Sequence, residues 1–150
     1  DLGITTDIIV GFPGETEAQF QRTLEVVQQA RFDSAFMFAY SPRPGTPGRL
    51  FTDQVPESER MDRLYRLIHL QNGISEEKHR QRMGREVEIL VEGRSKKTSS
   101  RLTGRTRQNW LVHFDSEEDF SGRLARVRLD QAFMWGFVGT LLEVEPSASS

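Results

Sequence analysis

The stretch Asp7-Ile8-Ile9-Val10-Gly11-Phe12-Pro13-Gly14-Glu15 constrains the fold of this chain more than any other. An apolar run rich in β-branched side chains enters a Gly-Phe-Pro-Gly turn, and a helical pattern opens directly after it. Such a run, bounded by turn residues, suits a strand buried on both faces, as in a parallel sheet covered by helices. Gly11 and Gly14 permit backbone conformations closed to other residues and leave no side chain between main chain and a ligand. Pro13 stiffens the turn by fixing its own φ. Open α/β sheets and α/β barrels bind ligands at strand C-termini of this kind. The same residues also suit a plain tight connection in any α/β domain.

The neighbouring pattern completes a βαβ unit. Residues 4–10 read as the first strand. Thr16-Glu17-Ala18-Gln19 fits a capping box, and Phe20, Leu24 and Val27 follow at helical spacing with Ala30 close by. Residues 34–40 form a second apolar strand, so a right-handed crossover is expected. Next comes Ser41-Pro42-Arg43-Pro44-Gly45-Thr46-Pro47, whose prolines exclude helix and interior strand. This loop leaves the same sheet edge as Gly11, so the two should flank one crevice. Arg43 either meets an anionic ligand there or is a solvated loop arginine. Beyond Pro56, Met61, Leu64, Tyr65 and Ile68 make a helical stripe, widened by Leu67, Leu70 and Ile74, with a bend expected at Gly73. His69 and His79 have no partner at metal-ligand spacing and read as structural. Two strands and two helices cannot close a barrel, so this half reads as a slice of a domain.

From Gly84 the period shifts to two. Residues 86–92, 100–106, 110–114, 123–129 and 137–144 read as short strands punctuated by glycines, which suggests a small Greek-key barrel of the OB type. Residues 123–129 are expected to place Arg123, Arg126 and Arg128 on one face. A formal net charge of -2 gives no whole-chain reason to expect nucleic acid. Locally, however, Arg94, Lys96, Lys97, Arg101, Arg105 and Arg107 follow one another with no acid among them. Beside Trp110, Phe114, Phe133 and Trp135, these fit a groove that tracks a nucleic-acid backbone and stacks bases. They equally fit a solvated basic loop over a core that holds the aromatics.

Composition adds bounds. At 150 residues there is room for one ordinary domain or two small ones. No apolar run in this sequence is long enough to span a bilayer and no stretch of it has a signal-peptide pattern, so no membrane partner is expected. Cysteine is absent, which excludes disulfides and thiolate metal sites within these residues. The start at Asp1-Leu2-Gly3, with no initiator methionine and a strand close by, is expected of a piece cut from a larger protein.

Six segments in order, DIIVGFPGET (7–16), DSAF (33–36), YSPRPGTP (40–47), QVPE (54–57), LVEGRSKK (90–97) and LTGRT with Asn109 (102–109), resemble the C-terminal portion of bacterial tRNA methylthiotransferases. These are radical S-adenosylmethionine enzymes that add a methylthio group to isopentenyladenosine next to the anticodon. The resemblance reaches to about Asp130. It implies a fold of α/β plus all-β class: residues 1–83 as the end of a partial (β/α) barrel, 84–145 as an RNA-binding β-barrel called TRAM, antiparallel and five-stranded, and 146–150 as a disordered tail. It implies S-adenosylmethionine along Ile9, Val10, Gly11, Phe38, Ala39 and Tyr40. It implies RNA contacts by Arg43, Lys96, Lys97, Arg101, Arg105, Arg107, Asn109 and Trp110, with the tRNA anticodon stem-loop as partner in a cytoplasmic, monomeric enzyme. Two [4Fe–4S] clusters on cysteines would lie outside this chain, since no thiolate is available here, and no catalytic or metal-binding residue is expected within it. The fragment alone is then expected to be inactive. Two departures stand out: Trp110 follows Asn109 where a basic residue is common, and Phe133-Met134-Trp135-Gly136-Phe137 replaces a polar Ser-Leu-Arg-Gly type segment. Alternatives are a methylthiotransferase acting on an aspartate of a ribosomal protein, a non-catalytic RNA-binding module, or an α/β barrel enzyme that binds phosphate at the Gly11–Gly14 turn.

Overall fold

A computed structural model describes residues 2–146. The expected disordered tail, apart from Pro146, lies outside the described residues. Contacts divide the chain into two compact units, Ile4–Ser75 and a second running from Glu76 to the C-terminus together with the first residues of the chain.

In the first unit, β1 (Thr5–Val10) and β2 (Ser34–Ala39) pair in parallel, with Ile9 opposite Phe38. Between them runs α1 (Glu17–Ala30), whose N-cap Thr16 closes the expected capping box: the Thr16 hydroxyl accepts from Gln19 N–H and the Gln19 side chain accepts from Thr16 N–H. Helix α2 (Glu57–Arg80) follows and passes through Gly73 without interruption. Phe20, Val27, Val10, Leu67 and Ile74 form the core, flanked by Ile8, Leu24, Met37, Leu64 and Leu70. The buried stripe of α2 is not the one its apolar residues trace. Tyr65 is exposed, whereas Arg63 and Gln71 are buried. Polar residues take these places because buried backbone groups need partners. The Gln71 side chain donates to the Phe32 carbonyl at 2.8 Å, and Ser75 donates to the Asp33 carbonyl at 2.9 Å. The Asp33 carboxylate in turn accepts from Ile4 N–H at 2.9 Å.

The sheet has two strands and helices on one face only. Thr5, Asp7 and Ile9 of β1 share the other face with Phe36 and Phe38 of β2, and Ile9, Phe36 and Phe38 are 60%, 66% and 53% exposed. The expectation of a strand buried on both faces is therefore corrected: β-branched composition marks a strand suited to burial, but nothing among the described residues covers this side. The proline loop also differs in one respect. Pro47–Leu50 form a 3₁₀ turn, tolerated because proline at the first position of a turn removes a donor that has no partner there.

In the second unit, β3 (Glu86–Arg94), β4 (Arg101–Arg105), β5 (Leu111–Asp115), β6 (Leu124–Phe133) and β7 (Gly136–Val144) close into a barrel of order β3-β4-β5-β7-β6. Four pairings are antiparallel and β5–β7 is parallel, which corrects the wholly antiparallel expectation. A Greek-key path brings the last strand back beside the third, and there the two run the same way. Ile89, Val91, Leu102, Val112, Phe114, Ala125, Val127, Leu129 and Phe137 fill the interior. Closure leaves no free strand edge. The three-arginine face is corrected as well. Arg126 and Arg128 point outward with Leu124, but Arg123 precedes the strand and has the parity of Ala125 and Val127. It donates to the Glu145 carbonyl instead.

Candidate functional site

In the first unit a cleft of about 460 Å³ opens at the C-terminal ends of β1 and β2. Ile9, Phe12, Phe38, Ala39, Tyr40, Ser41, Arg43, Thr46 and Gly48 line it. The loops after Gly11 and Tyr40 thus flank one crevice, as their shared sheet edge dictates. Phe12 meets the Tyr40 ring edge-on at 5.2 Å. The Tyr40 hydroxyl is buried and has no hydrogen-bond partner among the described residues. Gly48 lets it sit there, since a Cβ at that position would lie 2.6 Å from the hydroxyl oxygen. Arg43 is exposed at the rim, and its carbonyl accepts from the Thr46 hydroxyl at 2.8 Å.

Four of the six residues expected at the cofactor line this cleft: Ile9, Phe38, Ala39 and Tyr40. Val10 and Gly11 do not. Val10 points into the helix-side core. Gly11 is buried at φ +73°, and a Cβ there would collide with the Arg60 side chain. Packing against α2 and the left-handed backbone are therefore sufficient to require glycine here. A carboxylate and two arginines fasten this turn. Glu15 accepts from Gly11 N–H at 2.9 Å and from Arg63 at 2.9 Å, and Arg60 donates to the Tyr40 carbonyl at 2.9 Å. Arg60 and Arg63 escape a hydrophobicity reading because they sit among the polar residues opening α2. Only their spacing of three, on the face that also carries Leu67, signals burial.

In the barrel, a groove of about 620 Å³ runs beside the β3–β4 loop. Lys96, Lys97 and Arg101 line it, with Arg94, Thr103, His113 and Trp135. The cations are less free than their sequence suggests. Arg101 pairs with Asp115 at 3.1 Å, Arg105 with Glu92 at 3.1 Å and Arg107 with Glu88 at 3.6 Å. Arg94 donates to the carbonyls of Ser99 and Glu117, at 2.7 and 2.9 Å, and ties two loops together. Among the described residues Lys96 and Lys97 carry no ion pair. Arg105, Arg107 and Asn109 lie outside the groove lining.

Trp110 and Phe114 are 5% and 0% exposed, so neither ring is offered to a base. This corrects their reading as exposed stacking platforms. The Arg82 guanidinium lies 3.9 Å from the Trp110 ring centroid and Phe137 packs nearby. Phe133 and Trp135, by contrast, are exposed. His113, which sequence reasoning passed over, contacts the Thr103 hydroxyl through Nδ1 at 2.7 Å. Burial first and the charge of Arg101 second hold its imidazole below the usual histidine range. It therefore enters the groove as a neutral ring at physiological pH. No cluster of three or more His, Cys, Asp or Glu residues able to hold a metal occurs among the described residues. No helix among them is long and apolar enough to cross a membrane.

No family model matches the chain. Comparison with curated proteins does find relatives, among them several named tRNA-2-methylthio-N(6)-dimethylallyladenosine synthase. That of Thermoanaerobacter sp. (strain X514) is 50% identical over 144 residues, covering 96% of this chain and 31% of the relative. That of Moorella thermoacetica is 48% identical over 142 residues, covering 95% and 32%. That of Geobacillus thermodenitrificans is 47% identical over 141 residues, covering 94% and 27%. The chain is homologous to the C-terminal part of these synthases. It spans about a third of their length.

Several segments on which the family resemblance rests have structural explanations here. In the Leu-Thr-Gly-Arg-Thr segment, Leu102 fills the barrel and Gly104 leaves room for the Leu90 carbonyl, 2.7 Å from where a Cβ would stand. The Thr106 hydroxyl accepts from Trp110 N–H at 3.1 Å, and Asn109 takes the left-handed turn position at φ +68°. Asn109 also accepts from Arg105, at 3.3 Å. These residues build the β4–β5 turn, and that is sufficient reason for their identity.

Proposed function

We propose that this chain is part of a tRNA methylthiotransferase of the radical S-adenosylmethionine class, in which residues 4–75 supply one wall of the cofactor pocket and the barrel holds tRNA. The observation that carries the reading is the continuity between the bare sheet face of Ile9, Phe36 and Phe38 and the cleft at Tyr40. In a longer protein that face would be covered by the remaining strands and helices of a partial (β/α) barrel. The naming of the relatives, and their length, supports the same reading.

The cleft suits the nucleoside portion of S-adenosylmethionine. Phe38 and Ile9 offer apolar surface to a purine, backbone groups at Ala39 can read its edge, and the Tyr40 hydroxyl, unpartnered among the described residues, can complete a hydrogen bond to a ligand. When bound and reduced through an iron–sulfur cluster ligated elsewhere, the cofactor supplies the radical chemistry of the class. The residues here would orient it, exclude water and place Arg43 at the rim toward an anionic group. The barrel would then bring the tRNA anticodon region to the site in the cytoplasm. An aspartate-modifying relative is a weaker reading, because the names found are those of tRNA enzymes.

The decisive experiment uses the complete reconstituted enzyme. Phe38→Ser should raise the Kd for S-adenosylmethionine about tenfold with cluster content unchanged, and nucleoside mass analysis should show less methylthiolated adenosine in tRNA. Unchanged affinity and unchanged modification would remove the cleft from the site. Gly11→Val is a poor probe of the same claim, since it breaks the turn against Arg60.

A further inference from the structure

The β6–β7 hairpin and the strand beside it carry an aromatic group that the cofactor reading does not use. Phe133 and Trp135 stack in parallel, with centroids 5.0 Å apart and planes 4° apart. They are 38% and 43% exposed. The His113 ring lies 5.0 Å from the indole, tilted by 55°. Exposed rings of this size ordinarily seek cover, yet this pair is held out rigidly. His79 Nδ1 lies 2.6 Å from the Phe133 carbonyl, so Nδ1 carries the proton and donates. Gly136, at φ +148°, packs its backbone against the Leu111 carbonyl so closely that a Cβ would clash. The hairpin tip therefore has little freedom, and Phe133 supports one side of the indole while Trp135 and His113 line the groove.

That groove is where the unpaired Lys96 and Lys97 lie, with Arg101 and the Thr103 hydroxyl. Its one acid, Glu92, is already matched by Arg105 at 3.1 Å. A rigid aromatic surface beside unpaired ammonium groups is the pairing that a single-stranded polynucleotide satisfies: a base has a π-face and its phosphates need cations. We propose that Trp135, backed by Phe133 and flanked by His113, is a stacking platform for one unpaired RNA base, with the adjoining phosphates held by Lys96, Lys97 and Arg101. This rests on the reading of the barrel as the RNA-binding part and names the place where RNA lies. It also assigns a role to the aromatic segment that replaces the polar one common in the family, and moves the contact away from Trp110, Arg105 and Asn109.

The test uses the whole chain and a short single-stranded RNA oligonucleotide, followed by tryptophan emission and by titration across salt concentrations. The chain has two tryptophans, and Trp110 is buried, so quenching on RNA addition reports Trp135. Trp135→Ala should weaken binding about tenfold with the salt slope unchanged, circular dichroism confirming the fold. Trp135→Phe should keep affinity within about threefold and lose the quench. An abasic oligonucleotide should lose the difference between wild type and Trp135→Ala. Lys96→Ala with Lys97→Ala should reduce the log–log salt slope by about 1.4, at roughly 0.7 per phosphate contact on single strands. If Trp135→Ala binds as wild type while the lysine pair matters, the platform is wrong and the RNA-binding reading of the barrel stands. If the wild-type chain binds no RNA even at low salt, both fall.

Discussion

The two units of this chain solve the problem of sheet edges in opposite ways. The barrel pairs each strand on both sides and encloses its own core, from Ile89 to Phe137. The α/β unit pairs each strand once, buries one face under α1 and α2, and leaves Ile9, Phe36 and Phe38 in the open. An exposed apolar face of this kind marks an interaction surface or a ligand groove. Composition does not separate the two, since both have apolar strands punctuated by glycine. Closure separates them, and closure depends on how many strands are present and how they pair.

The strongest challenge to this contrast is aimed at the closed unit. Phe137→Ala removes a fully buried ring from the barrel and should lower stability by about 3–5 kcal/mol. Urea titration followed by tryptophan emission reports this directly, because both tryptophans lie in the barrel unit. A loss under about 1 kcal/mol would mean that the barrel interior is loosely packed. In the open unit the comparable weak point is polar. Arg63 is 5% exposed and meets Glu15 at 2.9 Å, so Arg63→Ala strands a carboxylate and should lower stability by about 3 kcal/mol. Helical circular dichroism in urea would register it, and a neutral result would show that Gly11 N–H alone satisfies Glu15.

Phe36→Ser should change stability by less than about 0.5 kcal/mol, as expected of a surface site. It should instead reduce any self-association seen in sedimentation. A large loss of stability would show that the bare face is covered after all. The smallest effect concerns acid. The Arg66 hydrogen bond first, and the Gln21 hydrogen bond second, lower the Glu17 carboxyl from its ordinary 4.5 to about 2. A folded-state value below the unfolded one means that the unfolded chain binds the extra proton. The contribution is therefore present above pH 4.5 and lost as pH falls toward 2. Glu17→Gln should flatten the acid limb over that window, read by circular dichroism. An identical limb in the variant would assign the acid sensitivity elsewhere.

Much of this fold was legible from periodicity, which is a local property. The strands and helices begin and end within a few residues of the positions implied by their patterns, and the capping box at Thr16 forms as its residues dictate. The five-stranded barrel and the crevice between the Gly11 and Tyr40 loops were legible too, because alternation and strand polarity determine which ends meet. Misread were the stripe of α2, where Arg63 and Gln71 replace apolar residues, and the parity of Arg123. Among the site residues, Ile9, Phe38, Ala39 and Tyr40 meet at the cleft, whereas Val10 packs into the helix-side core and Gly11 is outside the cleft lining.

By itself the sequence determined the secondary structure, the change of period at Gly84 and the kinship that six motifs carry. Tertiary structure alone decided which cations are free and which rings are bare. Arg101 stands opposite Asp115 in the β4–β5 register, and Arg105 reaches Glu92 on the adjoining strand, so a basic run in the sequence becomes a largely paired surface in space. Trp110 and Trp135 differ in the same way, one inside the barrel and one outside. Ion pairing and burial are set by neighbours distant along the chain, and no local pattern records them.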